Sequence, residues 1–98
     1  MTISKELKND ALIIKVSGRL DTNTSPDLEQ ELKSSLDDIH ELIFEFQELD
    51  YISSAGLRVL LAAQKIMNNQ GSMKLTGVRP EIMEIFEVTG FTDILTIE

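Results

Sequence analysis

The sequence predicts an α/β domain whose sheet is mostly parallel, and three observations favour this fold class. Short apolar runs rich in branched side chains alternate along the chain with longer segments whose apolar residues recur at helical spacing. Turn residues separate the two kinds of segment. The chain has 98 residues, enough for one domain with a modest core. The expected order, β-β-α-β-α-β-α-β, implies right-handed crossovers between parallel strands.

Two strands are expected at the start of the chain. Residues 3–7 alternate weakly between apolar and polar, and residues 11–16 form an almost continuous apolar run. Asn9 and Asp10 between them are typical turn residues, so the two segments predict an antiparallel hairpin. A continuous apolar run is typical of a strand covered on both faces. Gly18 is expected to end this strand.

The first helix is expected to begin at Ser25 and Pro26, after a polar loop. Serine can cap the open amides of a helix, and proline suits the first helical position because the amide it lacks would have no partner there. The residues expected to face the core are Leu28, Leu32, Leu36 and Ile39.

The second half of the chain repeats the alternation. Strands are expected at residues 42–46 and 72–76, with a strongly apolar helix at residues 57–67 between them. Gly71 is a candidate left-handed end for this helix. A third helix is expected to stop at Gly90. Its inward residues are Ile82, Ile85 and Phe86, and residues 94–97 predict a last short strand.

Composition and charge exclude several functional classes. The chain has no Cys and one His, so disulfides, thiol nucleophiles and Cys- or His-rich metal sites are excluded, and no cofactor is expected. The net charge of −8, with scattered Lys and Arg, argues against direct binding of nucleic acid or anionic membranes. No apolar run reaches the roughly 18 residues that span a bilayer, and no signal peptide is evident. We therefore expect a cytoplasmic protein.

Two loops form the candidate functional region, because function in α/β sheets collects where loops leave the carboxyl ends of strands. The first loop carries Asp21, Thr22, Asn23 and Thr24. The second carries Ser53 and Ser54, and we expect Asp21 and Ser54 to be neighbours. A serine here has an ordinary explanation as a helix cap. Gly56, in the first turn, would let another segment approach closely.

Catalysis by Ser54 is not expected. A serine nucleophile needs a base, and His40 lies between the first helix and the next strand, near the opposite end of the sheet. Gly56 is not part of a phosphate-binding loop, since the lysine of that motif is missing. The sequence therefore predicts a protein that is not an enzyme.

Three sequence blocks resemble the anti-sigma factor antagonist family, whose members are single STAS domains. The blocks are Gly18-Arg19-Leu20-Asp21, the run Tyr-Ile-Ser-Ser-Ala-Gly-Leu-Arg-Val-Leu-Leu at residues 51–61, and Val88-Thr89-Gly90-Phe91. The likeness covers essentially the whole chain. It implies one STAS domain over residues 1–98, with a STAS-like mixed but mostly parallel sheet and crossover helices.

The resemblance implies a partner-switching regulator. In that family, the serine two residues before the glycine of the second block, here Ser54, is phosphorylated by a serine kinase that is itself the anti-sigma factor. The unphosphorylated antagonist binds this kinase and frees the sigma factor. Phosphorylation releases the antagonist, and a metal-dependent serine phosphatase restores it. Asp21 corresponds to the residue beside the phosphorylated serine. Ser53 stands where well-studied members often carry Asp, whereas many members read Ser-Ser-Ala-Gly-Leu as this sequence does.

The resemblance and the residues together define the expected interface. The expected partner-binding residues are Asp21, Thr22, Asn23, Thr24, Ser53, Gly56 and Arg58. Turn chemistry explains the three residues after Asp21 equally well, and solvation explains Arg58. A monomer fits the exchange of partners. Two alternatives stay open: a phosphorylation-independent STAS scaffold, as in transporter- or lipid-trafficking-associated complexes, and a small-molecule sensor that uses the Asp21–Ser54 end as a pocket.

Overall fold

The computed structural model describes residues 1–98 and contains five strands and three helices. The strands are β1 (Thr2–Lys8), β2 (Ala11–Leu20), β3 (Glu41–Glu45), β4 (Leu49–Ile52) and β5 (Ser72–Thr76). The helices are α1 (Ser25–Ser35), α2 (Ser54–Gln70) and α3 (Pro80–Thr89), and a 3₁₀ turn follows at Phe91–Asp93. The predicted α/β class is confirmed.

Strand β2 is the centre of the sheet. It forms the predicted antiparallel hairpin with β1, with Thr2 opposite Ser17 and Lys8 opposite Ala11. Its first half pairs in parallel with β3, which pairs in parallel with β5. Its last residues pair in parallel with β4. Three of the four strand pairings are therefore parallel, as the mixed but mostly parallel sheet requires.

Gly18 marks the point where β2 changes its partner. The strand does not end there, as the sequence predicted, but continues to Leu20. Gly18 has a φ of +87°, a conformation that glycine adopts without steric cost. Its amide donates a hydrogen bond of 2.9 Å to the carbonyl of Glu48, just before β4. The bend thus lets β2 pair with a second strand beyond the end of β3.

The order of elements differs from the prediction in two places. Residues 49–52 form the additional strand β4, and the predicted last strand is reduced to a single parallel bridge between Leu75 and Ile97. The 3₁₀ turn takes up the residues that directly follow α3. Of the residues after this turn, only Ile97 pairs with a strand. The observed order is β-β-α-β-β-α-β-α.

The helices cover only one face of the sheet. A single core cluster of 23 buried residues joins this face to the helices. On the opposite face Lys15 is exposed, and Ile13 and Ile43 are only half-buried. The prediction that residues 11–16 form a strand covered on both faces is therefore wrong. Ile13 and Ile43 are register partners on β2 and β3, so two neighbouring apolar side chains shield each other without a helix above them.

The helix ends agree with the predicted capping only in part. Pro26 lies in the first turn of α1 as predicted, but Ser25 lies inside the helix and the N-cap is Thr24. The Ser25 hydroxyl instead donates to the carbonyl of Asp21, at 2.6 Å. Gly90 ends α3 as predicted, and it adopts the left-handed conformation. None of the three helices has the length and apolar character that crossing a membrane requires.

Gly71 ends α2 for a different reason from the predicted one. Its φ of 171° is extended and not left-handed. A Cβ atom at this position would lie 1.8 Å from the carbonyl oxygen of His40. Glycine is therefore needed because two backbone segments approach closely there, and no conformational argument is required.

Candidate functional site

The structure brings the two predicted loops together at the carboxyl edge of the sheet. Leu20 and Ile52, the last residues of β2 and β4, are register partners. The amide of Ser53 donates a hydrogen bond of 2.9 Å to the carbonyl of Leu20. The loop that begins at Asp21 and the start of α2 therefore leave adjacent strands side by side.

Ser53, and not Ser54, caps α2. Ser53 has an extended backbone, and its Oγ accepts a hydrogen bond of 3.4 Å from the amide of Gly56. Its carbonyl accepts from the amide of Leu57 at 3.0 Å. The local expectation that Ser54 occupies the cap position is thus corrected by one residue. The end of β4 determines which serine is the cap. Ile52 is still paired in the strand, so Ser53 is the residue between the strand and the first helical residue.

Ser54 is the first residue of α2, and its side chain is free. The residue is exposed, and its hydroxyl forms no hydrogen bond within the chain. The first amides of any helix lack intrahelical acceptors. Ser53 supplies an acceptor for Gly56, but the amides of Ser54 and Ala55 have none. The hydroxyl therefore stands in water beside two open donors at the positive end of a helix.

Gly56 fixes the start of α2 against the two strands. A Cβ at this position would lie 2.8 Å from Cγ1 of Ile52 and 2.9 Å from Cγ of Leu20. It would also lie 3.0 Å from the carbonyl oxygen of Leu20. The expected close approach of another segment is present, and that segment is the end of β2. Gly56 is itself buried, so it positions Ser54 and presents no side chain to a partner.

Asp21 and Thr24 close the first loop by bonding each other. The Oδ1 atom of Asp21 accepts hydrogen bonds from the amides of Asn23 and Thr24, both at 3.0 Å. The Thr24 Oγ1 atom accepts from the amide of Asp21 at 2.9 Å and donates to the carbonyl of Arg19 at 2.7 Å. Asp21, Asn23 and Thr24 thus form a preorganised turn, whereas Thr22 is exposed at its tip.

The same contacts keep the Asp21 carboxylate ionised. The hydrogen bond from the Thr24 amide is the main cause that lowers the pKa of Asp21. Partial desolvation opposes it, and the Thr24 hydroxyl, the Asn23 amide and the charge of Arg19 add to the lowering. The loop therefore carries a fixed negative charge next to the start of α2 at neutral pH.

Arg19 and Tyr51 form a pair that sequence reasoning did not single out. They are register partners on β2 and β4, and the guanidinium carbon lies 4.2 Å from the centroid of the tyrosine ring. The Arg19 Nε atom also lies 3.7 Å from Oδ2 of Asp21. The sequence signal that could have indicated the pair is their matching position, because each residue directly precedes the last core residue of its strand. The pair extends the polar edge from Asp21 onto the open face of the sheet.

A groove separates the starts of α1 and α2. Its volume is about 260 Å³, and it is open to solvent. Its lining residues are Thr22, Ser25, Pro26, Glu29, Ala55, Arg58 and Val59. Arg58 is exposed and forms no ion pair, while Glu29 pairs with Lys33 at 3.7 Å. The groove thus contains one uncommitted cation, which lies about one helical turn after Ser54 in α2.

His40 lies at the other end of the molecule. Its amide bonds the carbonyl of Asp10, just before β2, and its carbonyl accepts from Ser72 at the start of β5. These are the amino ends of the parallel strands, as expected. Ser54 and His40 therefore do not form a nucleophile–base pair. No group of three acidic or histidine side chains is close enough to hold a metal ion.

Comparisons with known proteins agree with this architecture. The profile of the STAS domain family matches residues 2–98. A relative from Bordetella bronchiseptica, which carries the name anti-sigma factor antagonist BtrV, is 33% identical over 99 residues, covering 99% of this chain and 85% of that protein. An anti-sigma-B factor antagonist from Staphylococcus aureus is 30% identical over 86 residues, covering 86% of this chain and 80% of its own length.

The fold is also similar to that of the anti-sigma factor antagonist SpoIIAA from Bacillus. The unphosphorylated form matches with a TM-score of 0.79 and 15% identity, covering 99% of this chain and 87% of the other. The phosphorylated form matches with a TM-score of 0.78 and 16% identity, covering 99% of this chain and 91% of the other. These two matches show the same fold. The family profile and the two sequence relatives establish that the chain belongs to the STAS domain family, among the anti-sigma factor antagonists.

Proposed function

We propose that this chain is a phosphorylation-controlled switch that binds a serine-kinase anti-sigma factor. The binding surface is the edge formed by residues 21–24, Ser53 and the first turn of α2, including Arg58. In the unphosphorylated state the chain holds the kinase and so frees a sigma factor for transcription. Phosphorylation of Ser54 by that kinase releases the chain. The observation that carries the proposal is the exposed, unbonded hydroxyl of Ser54 beside the Asp21 turn.

The start of α2 is suited to accept a phosphate without unfolding. Phosphate oxygens are strong hydrogen-bond acceptors, and the amides of Ser54 and Ala55 are open donors at a helix N-terminus. SpoIIAA matches this chain with nearly the same TM-score in both of its forms, 0.79 and 0.78. This similarity supports a switch in which the fold stays intact and only the surface changes.

The same phosphate is expected to disrupt binding. It adds a charge of about −1.5 to −2 at neutral pH, next to the ionised Asp21. A partner surface that fits a neutral hydroxyl and a carboxylate then meets a larger, strongly negative group. Each 1.4 kcal/mol lost in binding free energy is about a tenfold loss in affinity. Loss of one well-placed contact together with charge repulsion therefore suffices for release.

The chain supplies only the acceptor hydroxyl in this scheme. The kinase brings ATP, magnesium and any catalytic base, and a metal-dependent serine phosphatase removes the phosphate. The chain acts as a monomeric cytoplasmic protein without catalytic activity of its own, and it has no direct contact with nucleic acid or membrane. Its net charge of −8 favours long-range attraction to a partner that is basic overall, whereas release requires an acidic group only where that partner meets Ser54 and Arg58.

Phosphate transfer is tested with the serine-kinase anti-sigma factor of the same organism, ATP and magnesium. Mass spectrometry of the whole chain should show one added phosphate, and Ser54→Ala should abolish it. Ser53→Asp is the matched control, because aspartate also caps helices and removes the neighbouring hydroxyl. This variant should be phosphorylated. A phosphate that persists in Ser54→Ala and disappears in Ser53→Asp would move the acceptor to Ser53.

Release is tested separately by isothermal titration calorimetry with the same kinase. The chain carrying phosphoserine at position 54 should bind at least about tenfold more weakly than the unmodified chain, a difference of about 1.4 kcal/mol or more. Equal affinities would contradict the switch. They would favour the alternative of a phosphorylation-independent scaffold.

A further inference from the structure

We infer that Arg58 is the intramolecular partner of the phosphate on Ser54, so that phosphorylation withdraws this cation from the surface that meets the partner protein. The inference rests on the proposed function in one respect, namely that Ser54 is the residue that carries the phosphate. Beyond the proposed function, it identifies a residue of the same chain that binds the phosphate.

The geometry of α2 places Arg58 over Ser54. The two residues are four positions apart in one uninterrupted helix, Ser54–Gln70. Residues at this spacing are neighbours on the helix surface, with Cβ atoms about 5–6 Å apart. Helical side chains also lean toward the N-terminus, so a long side chain covers the turn that precedes it. Arg58 lines the groove between α1 and α2 together with Ala55, the residue that follows Ser54.

Arg58 is not committed to another anion. It is exposed and forms neither an ion pair nor a side-chain hydrogen bond in the structure. Glu29 faces it from α1 across the groove, but that carboxylate pairs with Lys33 on its own helix. Asp21, from the loop after β2, is already bonded to Asn23 and Thr24 and lies beside Arg19. A phosphate on Ser54 therefore meets a free guanidinium.

Phosphate is a better partner for Arg58 than either carboxylate. It carries nearly twice the charge and presents three oxygens, which match the planar fork of a guanidinium. An anion placed N-terminal to a cation at this spacing is also the favoured order along a helix. With the open amides of Ser54 and Ala55, Arg58 completes a set of three donors around the phosphate.

The pair changes the surface in two ways at once. Phosphorylation adds negative charge, and it also removes the only basic side chain of the groove from contact with an acidic group of the partner. Release then depends on a lost attraction as well as on a new repulsion. Arg58→Gln is accordingly expected to weaken binding of the unmodified chain and to narrow the affinity gap between its two phosphorylation states.

The direct test follows the phosphate by ³¹P NMR in the full chain, with phosphoserine introduced at position 54 during translation. Pairing with Arg58 holds the pKa of the phosphate below about 6, the value of free phosphoserine. Arg58→Gln should raise that pKa, and Arg58→Lys should preserve most of the lowering. Lys65→Gln is the matched control, since it removes one exposed cation from the same helix about three turns from Ser54.

Equal pKa values in Arg58→Gln and Lys65→Gln would overturn the inference, because Arg58 would then act only through the overall charge. A second measurement needs no variant: the Nε–Hε resonance of Arg58 should move on phosphorylation, and an unmoved resonance would also refute the pair. No kinase takes part in either experiment. Failure of the pairing is therefore distinguishable from failure of the proposed phosphorylation.

Discussion

Asp21 uses its carboxylate to hold its own loop, and this role sets how the residue acts in function. The amides of Asn23 and Thr24 occupy Oδ1, and Arg19 lies near Oδ2. We therefore expect the carboxylate to contribute to the proposed partner binding mainly by shaping the turn and by its fixed negative charge. It still has solvent-facing lone pairs, since 27% of the side chain is exposed.

The lowered pKa of Asp21 predicts a specific pH dependence of stability. A carboxyl group whose pKa is lower in the folded state stabilises the fold above its unfolded pKa, about 4, and loses this contribution as the pH falls through the folded pKa. The stability lost in Asp21→Asn should therefore be constant from about pH 5 to pH 8 and shrink in more acidic solution. Urea unfolding of the parent chain and of Asp21→Asn at several pH values measures this difference in the free energy of unfolding. A difference that grows on acidification would contradict the assignment.

Single residues were predictable where chemistry is local. The turn residues of the hairpin and the left-handed Gly90 follow from their own conformational preferences. The choice between Ser53 and Ser54 as the helix cap cannot be predicted from local preferences, because it depends on where the pairing of β4 with β2 ends. Gly71 likewise required the approach of the His40 backbone, which is remote in sequence.

Helix α2 carries one polar residue in its buried face. Gln64 is only 7% exposed, and its Nε2 atom donates to Oδ1 of Asn68 at 2.9 Å. Its Oε1 atom is buried without a hydrogen-bond partner. An unsatisfied buried acceptor destabilises a fold by about 1–3 kcal/mol. The core thus contains a residue that its own packing does not favour.

Replacement of Gln64 by methionine should stabilise the chain. Methionine has nearly the same length and flexibility and carries no acceptor that needs a partner. We expect a gain of about 1 kcal/mol in the free energy of unfolding, which thermal or urea unfolding would detect. Asn68→Ala is the opposite control, because it removes the acceptor of Nε2 and should lower stability. A destabilised Gln64→Met chain would show that Oε1 has a partner in solution.

Helices and strands were predictable where their apolar residues recur at a regular spacing. They were less predictable where a strand forms only because a neighbouring strand pairs with it. All three helices and the strands β1, β2, β3 and β5 follow from apolar spacing and turn residues. Strand β4 was missed as a strand, since Leu49–Ile52 has only four residues and reads as a connection. Its existence depends on the bend at Gly18, which presents the end of β2 as a free edge.

The whole molecule carries a large excess of negative charge. It has 17 acidic and nine basic residues, and the exposed carboxylates Glu81, Glu84 and Glu87 of α3 form no ion pair. Neighbouring carboxylates on one helix repel each other, and this repulsion destabilises the folded state. Surface ion pairs elsewhere offset little of it, at about 0–1 kcal/mol each.

Added salt should therefore raise the melting temperature. The screening length falls from about 30 Å at 0.01 M salt to about 10 Å at 0.1 M, so repulsion between separated carboxylates weakens. Each kcal/mol of relieved repulsion corresponds to roughly 4–8 °C in a domain of this size. The triple variant Glu81→Gln, Glu84→Gln, Glu87→Gln should melt higher in low salt and respond less to salt. A melting temperature that falls with salt would show that attractive pairs dominate.

At the scale of the molecule, the class of fold was predictable but the number of layers was not. The continuous apolar run in β2 predicts a strand covered on both faces, yet Ile13 and Ile43 cover each other on an open face. The resemblance of the Gly18–Asp21 and Tyr51–Leu61 blocks predicts which edge of the sheet binds the partner. The structure adds the pairing that joins the two blocks, through Leu20 and Ile52.

The tight contact of Gly56 with Leu20 and Ile52 has a consequence for the kinetics of exchange. The start of α2 is packed closely against both strands, and the amide of Ser53 is bonded to the backbone of β2. Under the proposed function, we expect a phosphate to be added to Ser54 and removed again without any refolding step. The lifetimes of the two states would then be determined by the kinase and the phosphatase.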